Sequence, residues 1–192
     1  MSKFLIIGLG NPGADYAHTR HNIGFDIVDA FVSKHGGIFA SDRLSDRTDL
    51  KIKGKQVIVI KPVTFMNLSG KAVKYWMEKE SLTLENILVI VDELALPINR
   101  VRIRPSGSDA GHNGLKSIQE TLMTDQYPRL RFGIGNDYPR GGQADYVLSR
   151  WKPEELPLIE KKVEKCVEII ESFVLAGITR TMNTFNKFDF TL

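Results

Sequence analysis

Three short apolar runs rich in β-branched residues, FLII at 4–7, VIVI at 57–60 and ILVIV at 87–91, are separated by stretches with helical periodicity. That alternation restricts the chain to βαβ units around a mostly parallel sheet. Ile23, Ile27, Val28 and Phe31 recur at helical spacing with Asn22 placed to cap, and Gly36-Gly37 ends the pattern, which predicts a first helix over about 22–35. Further helices are expected over about 69–80, over about 113–123, and from Pro153-Glu154-Glu155 to Ala176-Gly177, where proline and acids suit a first turn. Residues 41–55 are charged and predict a surface loop and an outer strand. The stretches 101–104 and 130–134 alternate apolar with basic or small residues, as strands with one wet face do. The expected fold is α/β: a twisted, mixed but mostly parallel central sheet with helices packed around it. With 192 residues and no linker or repeat, residues 1–192 are expected to form one domain.

The first strand runs into Gly8-Leu9-Gly10-Asn11-Pro12-Gly13, the G-x-G-x-x-G spacing of dinucleotide-binding loops. Such a loop passes directly into its helix, with an acid about 20 residues on. Here the polar stretch 14–21 intervenes and no strand ending in Asp or Glu follows at that distance, so nicotinamide binding is not supported. A tight turn, or Asn11 presented to a ligand, remains. His21 in Arg20-His21-Asn22 would, if isolated, read as a solvated or structurally paired histidine. The strand at 87–91 ends in Asp92-Glu93, however, and a carboxylate at the C-terminal end of a central parallel strand opens onto the crevice where α/β sheets bind ligands. Gly10-Asn11 and the loop Val63-Thr64-Phe65-Met66-Asn67 leave strands at the same edge. Asp92 beside His21 would take one ring N–H and leave the other nitrogen as a general base. No G-x-S-x-G elbow exists and Cys166 lies in a helical pattern, so water is the expected nucleophile. The four histidines show no H-E-x-x-H spacing and there is no cysteine pair, so no metal is expected. Asn113 reads as the N-cap of its helix or, with Asn11 and Asn67, as an amide that pairs with a ligand backbone.

A single cysteine excludes an internal disulfide and fits a reducing compartment. The only apolar run near the start is far short of the roughly 18 residues of a membrane span, and the expected location is the cytoplasm. Net charge is +3 with an isoelectric point near 8.9. Within residues 100–140, seven Lys or Arg oppose four acids, which equals the excess of the whole chain. Arg100, Arg102 and Arg104 share a face of one strand, and Arg129 and Arg131 of another. Strands of this kind are solvated faces or grips for phosphates.

GLGNPG with Tyr16 and RHNIG, then KPVTFMNLSG, VDELALP, RPSGSDAGHNGLKSI, RLRFGIG and YVL follow one another as in bacterial peptidyl-tRNA hydrolases, and the chain resembles that family over nearly its whole length. The resemblance implies an esterase that cleaves the bond between a peptide, or an N-blocked aminoacyl group, and the 3′-terminal ribose of tRNA, using neither metal nor cofactor. It places His21 at the catalytic base and Asp92 at the carboxylate that keeps it basic. Asn11 falls where N-blocked and free aminoacyl groups are told apart. Tyr16, Phe65, Asn67 and Asn113 fall where the peptidyl-tRNA end is contacted, and Asn113 also where the attacking water is placed. Met66 reads as part of the peptide channel or as a space-filling thioether. In this context Arg102, Arg104 and Arg131 read as tRNA phosphate contacts. A monomer is implied. The rival is a non-catalytic RNA-binding relative that keeps the groove, against which the intact His21 and Asp92 speak.

Overall fold

The three apolar runs become adjacent parallel strands because each is too apolar to face water on either side. In the computed structural model, which describes residues 2–192, β1 (Lys3–Gly8) lies between β4 (Lys55–Pro62) and β5 (Ile87–Glu93), and β7 (Arg129–Gly133) extends the parallel set beyond β5. Antiparallel strands finish both sides. β2 (Ala40–Asp42) and β3 (Ser45–Ile52) continue from β4, and β6 (Val101–Arg104) pairs with β7, giving the order β2-β3-β4-β1-β5-β7-β6. The mixed, mostly parallel sheet is the one expected. The segment 41–55, read as a loop and one strand, holds part of β2 and all of β3.

Side chains alternate across the sheet, so neighbours along one strand serve two cores. Phe4 and Ile6 of β1 pack with α1 (Ile23–Lys34) and α5 (Leu156–Ala176), through Ile27, Phe31, Ile170 and Phe173. Leu5 and Ile7 pack with α2 (Ser69–Lys79) and α3 (Asn113–Leu122), through Val73, Trp76, Leu115 and Ile118. Cys166 is buried in the first of these cores. Two helices have no counterpart in the sequence reading, α4 (Gln143–Val147) and α6 (Ile178–Phe185). α5 also begins later than Pro153: residues 153–155 form a turn and Pro157 occupies the first helical turn. Glu155, the residue before the helix, turns its carboxylate onto Arg20.

Two glycines fix the entry of α1 against the sheet. A Cβ on Gly24 would stand 2.6 Å from both the nitrogen and the oxygen of Leu9, and one on Gly8 would strike the carbonyl of Gly24. Bare backbone on both sides lets the first turn of α1 press onto the end of β1. The one-turn helix Arg20–Asn22, which precedes α1, is thereby carried to the C-terminal edge of the parallel strands.

Candidate active site

Three loops meet at that edge and are tied by asparagines. Asn22 does not cap α1 as its position suggested; its amide bonds both backbone groups of Asn11, accepting from the nitrogen and donating to the oxygen at 2.9 Å each. The side chain of Asn11 in turn accepts from the Met66 backbone at 2.7 Å. The side-chain nitrogen Nδ2 of Asn11 has no protein partner among the described residues. The turns carrying Asn11, His21 and Met66 are therefore one assembly.

Asp92, at the end of β5, is 3% exposed and is flanked by two imidazoles. His21 Nδ1 lies 2.9 Å from one carboxylate oxygen, and His112 Nε2 lies 2.8 Å from the other. The ring centroids are 5.0 Å apart. His112 Nδ1 accepts from the Gly114 and Leu115 nitrogens at 3.1 and 3.4 Å, so its proton sits on Nε2 and is donated to Asp92. An ionised carboxylate only accepts, so His21 Nδ1 also donates to it, and Nε2 of His21 keeps its lone pair. His21, Asp92 and His112 could in principle gather round a cation. Their hydrogen bonds to one another and to the start of α3 already occupy both oxygens and three of the four ring nitrogens.

His112 was missed in the sequence, where it appeared only as one histidine without metal spacing. It, and not Asn113, is the N-cap of α3. The available signal was its place in Gly111-His112-Asn113-Gly114, directly before a helical pattern. Asn113 is the first residue of α3, exposed, and free of the capping duty assigned to it.

Burial alone would lower the pKa of His21, but the charge and hydrogen bond of Asp92 outweigh it and the net shift is upward. For Asp92, burial favours the neutral acid, yet the facing His112 and His21 reverse this and hold the carboxyl well below its ordinary range. Asp92 is therefore a fixed anion.

A cleft of about 750 Å³ opens over this cluster. Asn11, His21, Phe65, Met66, Asn67, Asp92 and Asn113, all singled out in the sequence, line it. Asn67 and Asn113 are exposed, and among the described residues their amides have no protein partner. Phe65, Leu94, Val147 and Leu148 give the cleft apolar sides. Tyr16 does not reach the lining; it is half-buried in the turn Ala14–Tyr16, where its carbonyl accepts from Thr19.

The arginines divide. Arg102 pairs across the β6–β7 ladder with Arg131 in register, but its guanidinium is 2.6 Å from Asp189, and that of Arg131 is 2.7 Å from Glu93. Arg104 is exposed and has no ion pair among the described residues. Arg129 corrects the expectation of two solvent-facing ridges: it is buried, stacked 4.2 Å from the Tyr127 ring, and donates to the carbonyls of Asp125, Tyr127 and Ser108.

Known proteins resemble this chain in sequence and in fold. A family model described as peptidyl-tRNA hydrolase matches residues 5–191. Proteins named peptidyl-tRNA hydrolase from Parabacteroides distasonis and Bacteroides fragilis are each 55% identical over 185 residues, covering 96% of this chain and 99% of theirs. The crystal structure of peptidyl-tRNA hydrolase from Acinetobacter baumannii superposes with a TM-score of 0.91 at 31% identity, covering 97% of this chain and 95% of that one.

Proposed function

This chain belongs to the peptidyl-tRNA hydrolase family and hydrolyses peptidyl-tRNA, and we propose that it does so by water attack with His21 as general base. The observation that carries the reading is Asp92 bonded to Nδ1 of His21, which leaves Nε2 facing a cleft lined by three asparagines. Nε2 takes a proton from water as the oxygen attacks the ester carbonyl carbon. The tetrahedral intermediate collapses with cleavage of the bond to the ribose 3′ oxygen, and the imidazolium returns its proton to that oxygen. Asp92 keeps Nδ1 protonated and stabilises the imidazolium between the two transfers.

The unpaired side-chain Nδ2 of Asn11 suits the carbonyl of an N-blocked aminoacyl group, while Asn67 and Asn113 supply further donors and acceptors, Asn113 also towards the water. Met66, 4% exposed and lining the cleft, is at once channel wall and filler. Tyr16 serves the peptidyl-tRNA end only if its turn moves. Arg104, exposed and without an ion pair among the described residues, is the phosphate contact able to act as it stands; Arg102 and Arg131 contribute once Asp189 and Glu93 yield them. No metal or cofactor takes part. The chain works as a single catalytic domain over 1–192, as a cytoplasmic monomer acting at the acceptor end of tRNA.

The test is release of an N-acetyl-aminoacyl group from tRNA in excess chelator, with wild type and His21→Ala compared. Turnover that survives chelation and falls at least 10²-fold in His21→Ala, with tRNA binding kept, is expected. Equal turnover in both would remove His21 from the chemistry, and no turnover in wild type would favour a non-catalytic RNA-binding relative.

A further inference from the structure

Arg20 immediately precedes the base and is 2% exposed. A guanidinium withdrawn from water persists only if it is paired and its donors are filled. Its fork closes on Glu155 at 2.7 and 3.2 Å, its Nε donates to Ser149 Oγ at 3.1 Å, and its backbone nitrogen donates to the Ser149 carbonyl at 2.9 Å. The guanidinium carbon lies 4.5 Å from the Tyr146 ring centroid and 4.7 Å from that of Trp151.

All these partners lie on one stretch of chain, 146–155, which is remote from β5 and Asp92 in sequence. That stretch continues into the cleft. Tyr146 packs at a tilt against Tyr138, with ring centroids 5.1 Å apart, and donates to the Ile134 carbonyl, and Tyr138, Ala144, Val147 and Leu148 line the cleft. On the other flank of His21, Asn22 grips the backbone of Asn11. The base thus stands between two buried anchors that reach different elements.

We propose that Arg20 is a positioning residue, which holds the turn bearing His21 and the 138–149 wall of the cleft in one fixed relation through Glu155, Ser149, Tyr146 and Trp151. This role rests on His21 being the base. Lysine would keep the charge but lose both the two-pronged contact with Glu155 and the flat face between the rings. The turn would then shift relative to Asp92, and a misplacement of about 1 Å suffices for a loss of roughly 10²-fold in rate.

The test is the pH dependence of N-acetyl-aminoacyl-tRNA hydrolysis by wild type, Arg20→Lys, Glu155→Gln and Asp92→Asn, with kcat and KM separated and referred to folded protein. For Arg20→Lys we expect kcat to fall roughly 10–100-fold, KM to rise as the wall moves, and the acid limb of the profile to shift to lower pH as the bond to Asp92 loosens. A variant that loses thermal stability but keeps the wild-type kcat and acid limb would overturn the role. Should Arg20→Lys fail to fold, Glu155→Gln decides, since it leaves Arg20 in place and removes its counter-charge: the same changes at smaller size support the role, and a wild-type profile overturns it. Asp92→Asn separates the two levels, because an acid limb that does not move there would overturn the base itself and this role with it.

Discussion

At the scale of residues, His21 is pulled two ways, and under the proposed mechanism the balance sets the pH dependence of hydrolysis. Burial opposes the imidazolium, Asp92 favours it, and Asp92 prevails, so the pKa lies above the ordinary 6.5. The proposed general base acts as the unprotonated ring, so kcat/KM should climb through an acid limb centred above pH 6.5. The stability contribution runs the other way. With the folded value raised, the His21–Asp92 pair stabilises the fold fully below about pH 6.5 and loses that contribution as pH rises through the folded value. Asp92, with its folded value lowered, contributes above the ordinary 3.8, and this is lost as pH falls through the folded value. Asp92→Asn tests both statements. It removes the charge and, by offering an N–H to Nδ1, moves the ring proton onto Nε2, where the lone pair is needed. A loss of roughly 10²–10⁴-fold in kcat is expected, with any residual acid limb below pH 6.5. A pH-rate profile of the variant that overlays the wild type would contradict the arrangement.

At the scale of elements, what the sequence disclosed and what it hid separate by the kind of force involved. β1, β4, β5 and the helices α1 to α3 are announced by apolar period, because each buries a face or both faces in one of the two cores. β3 is quieter: only Leu50 and Ile52 among its buried residues are apolar, beside Ser45 and Thr48, so its alternation is diluted. α4 has no fully buried residue at all, and its position is set by the stacking of Tyr146 over Arg20. The site divides in the same way. His21, Asp92 and Asn11 follow from strand ends, whereas the duties of His112 and Asn22 depend on partners 20 and 11 residues away that no local pattern reveals. Gly24 carries a consequence of the packing between α1 and β1. In Gly24→Ala the new Cβ meets the Leu9 backbone at 2.6 Å and the Ile90 carbonyl at 2.7 Å, none of it able to rotate away. Overpacking of this kind costs about 1–3 kcal/mol or more. Urea unfolding of Gly24→Ala should show a lower midpoint with an unchanged slope, and a midpoint equal to wild type would mean the helix end is looser than its contacts indicate.

At the scale of the whole molecule, the arginines of β6 and β7 are restrained by the protein itself. The outer edge of β6 would expose unpaired peptide groups, and the C-terminal segment covers it. The Asn186 amide bonds both the nitrogen and the oxygen of Ile103 at 2.8 Å, in the manner of a neighbouring strand, and Phe190 exchanges hydrogen bonds with Asn99. This covering brings Asp189 onto Arg100 at 3.2 Å and Arg102 at 2.6 Å, just as Glu93 takes Arg131. Under the proposed phosphate contacts, each of these carboxylates holds a guanidinium that a phosphate would take, and it must be displaced or tolerated when tRNA docks. Counterion release scales with the phosphates actually neutralised, at a salt slope of about 0.7–0.9 per contact. Arg104→Ala should therefore flatten the salt dependence of tRNA binding by about one contact. Arg102→Ala should change it less, because Asp189 already pairs with Arg102. Asp189→Asn should do the reverse of Arg104→Ala, steepening the slope and tightening binding at low salt, with kcat at saturation unchanged. Binding isotherms for the three variants between 50 and 200 mM salt, on the order of the range over which such slopes are resolved, would decide this. Equal slopes for Arg102→Ala and Arg104→Ala would mean that tRNA releases the Asp189 contact at no cost and reads both arginines alike.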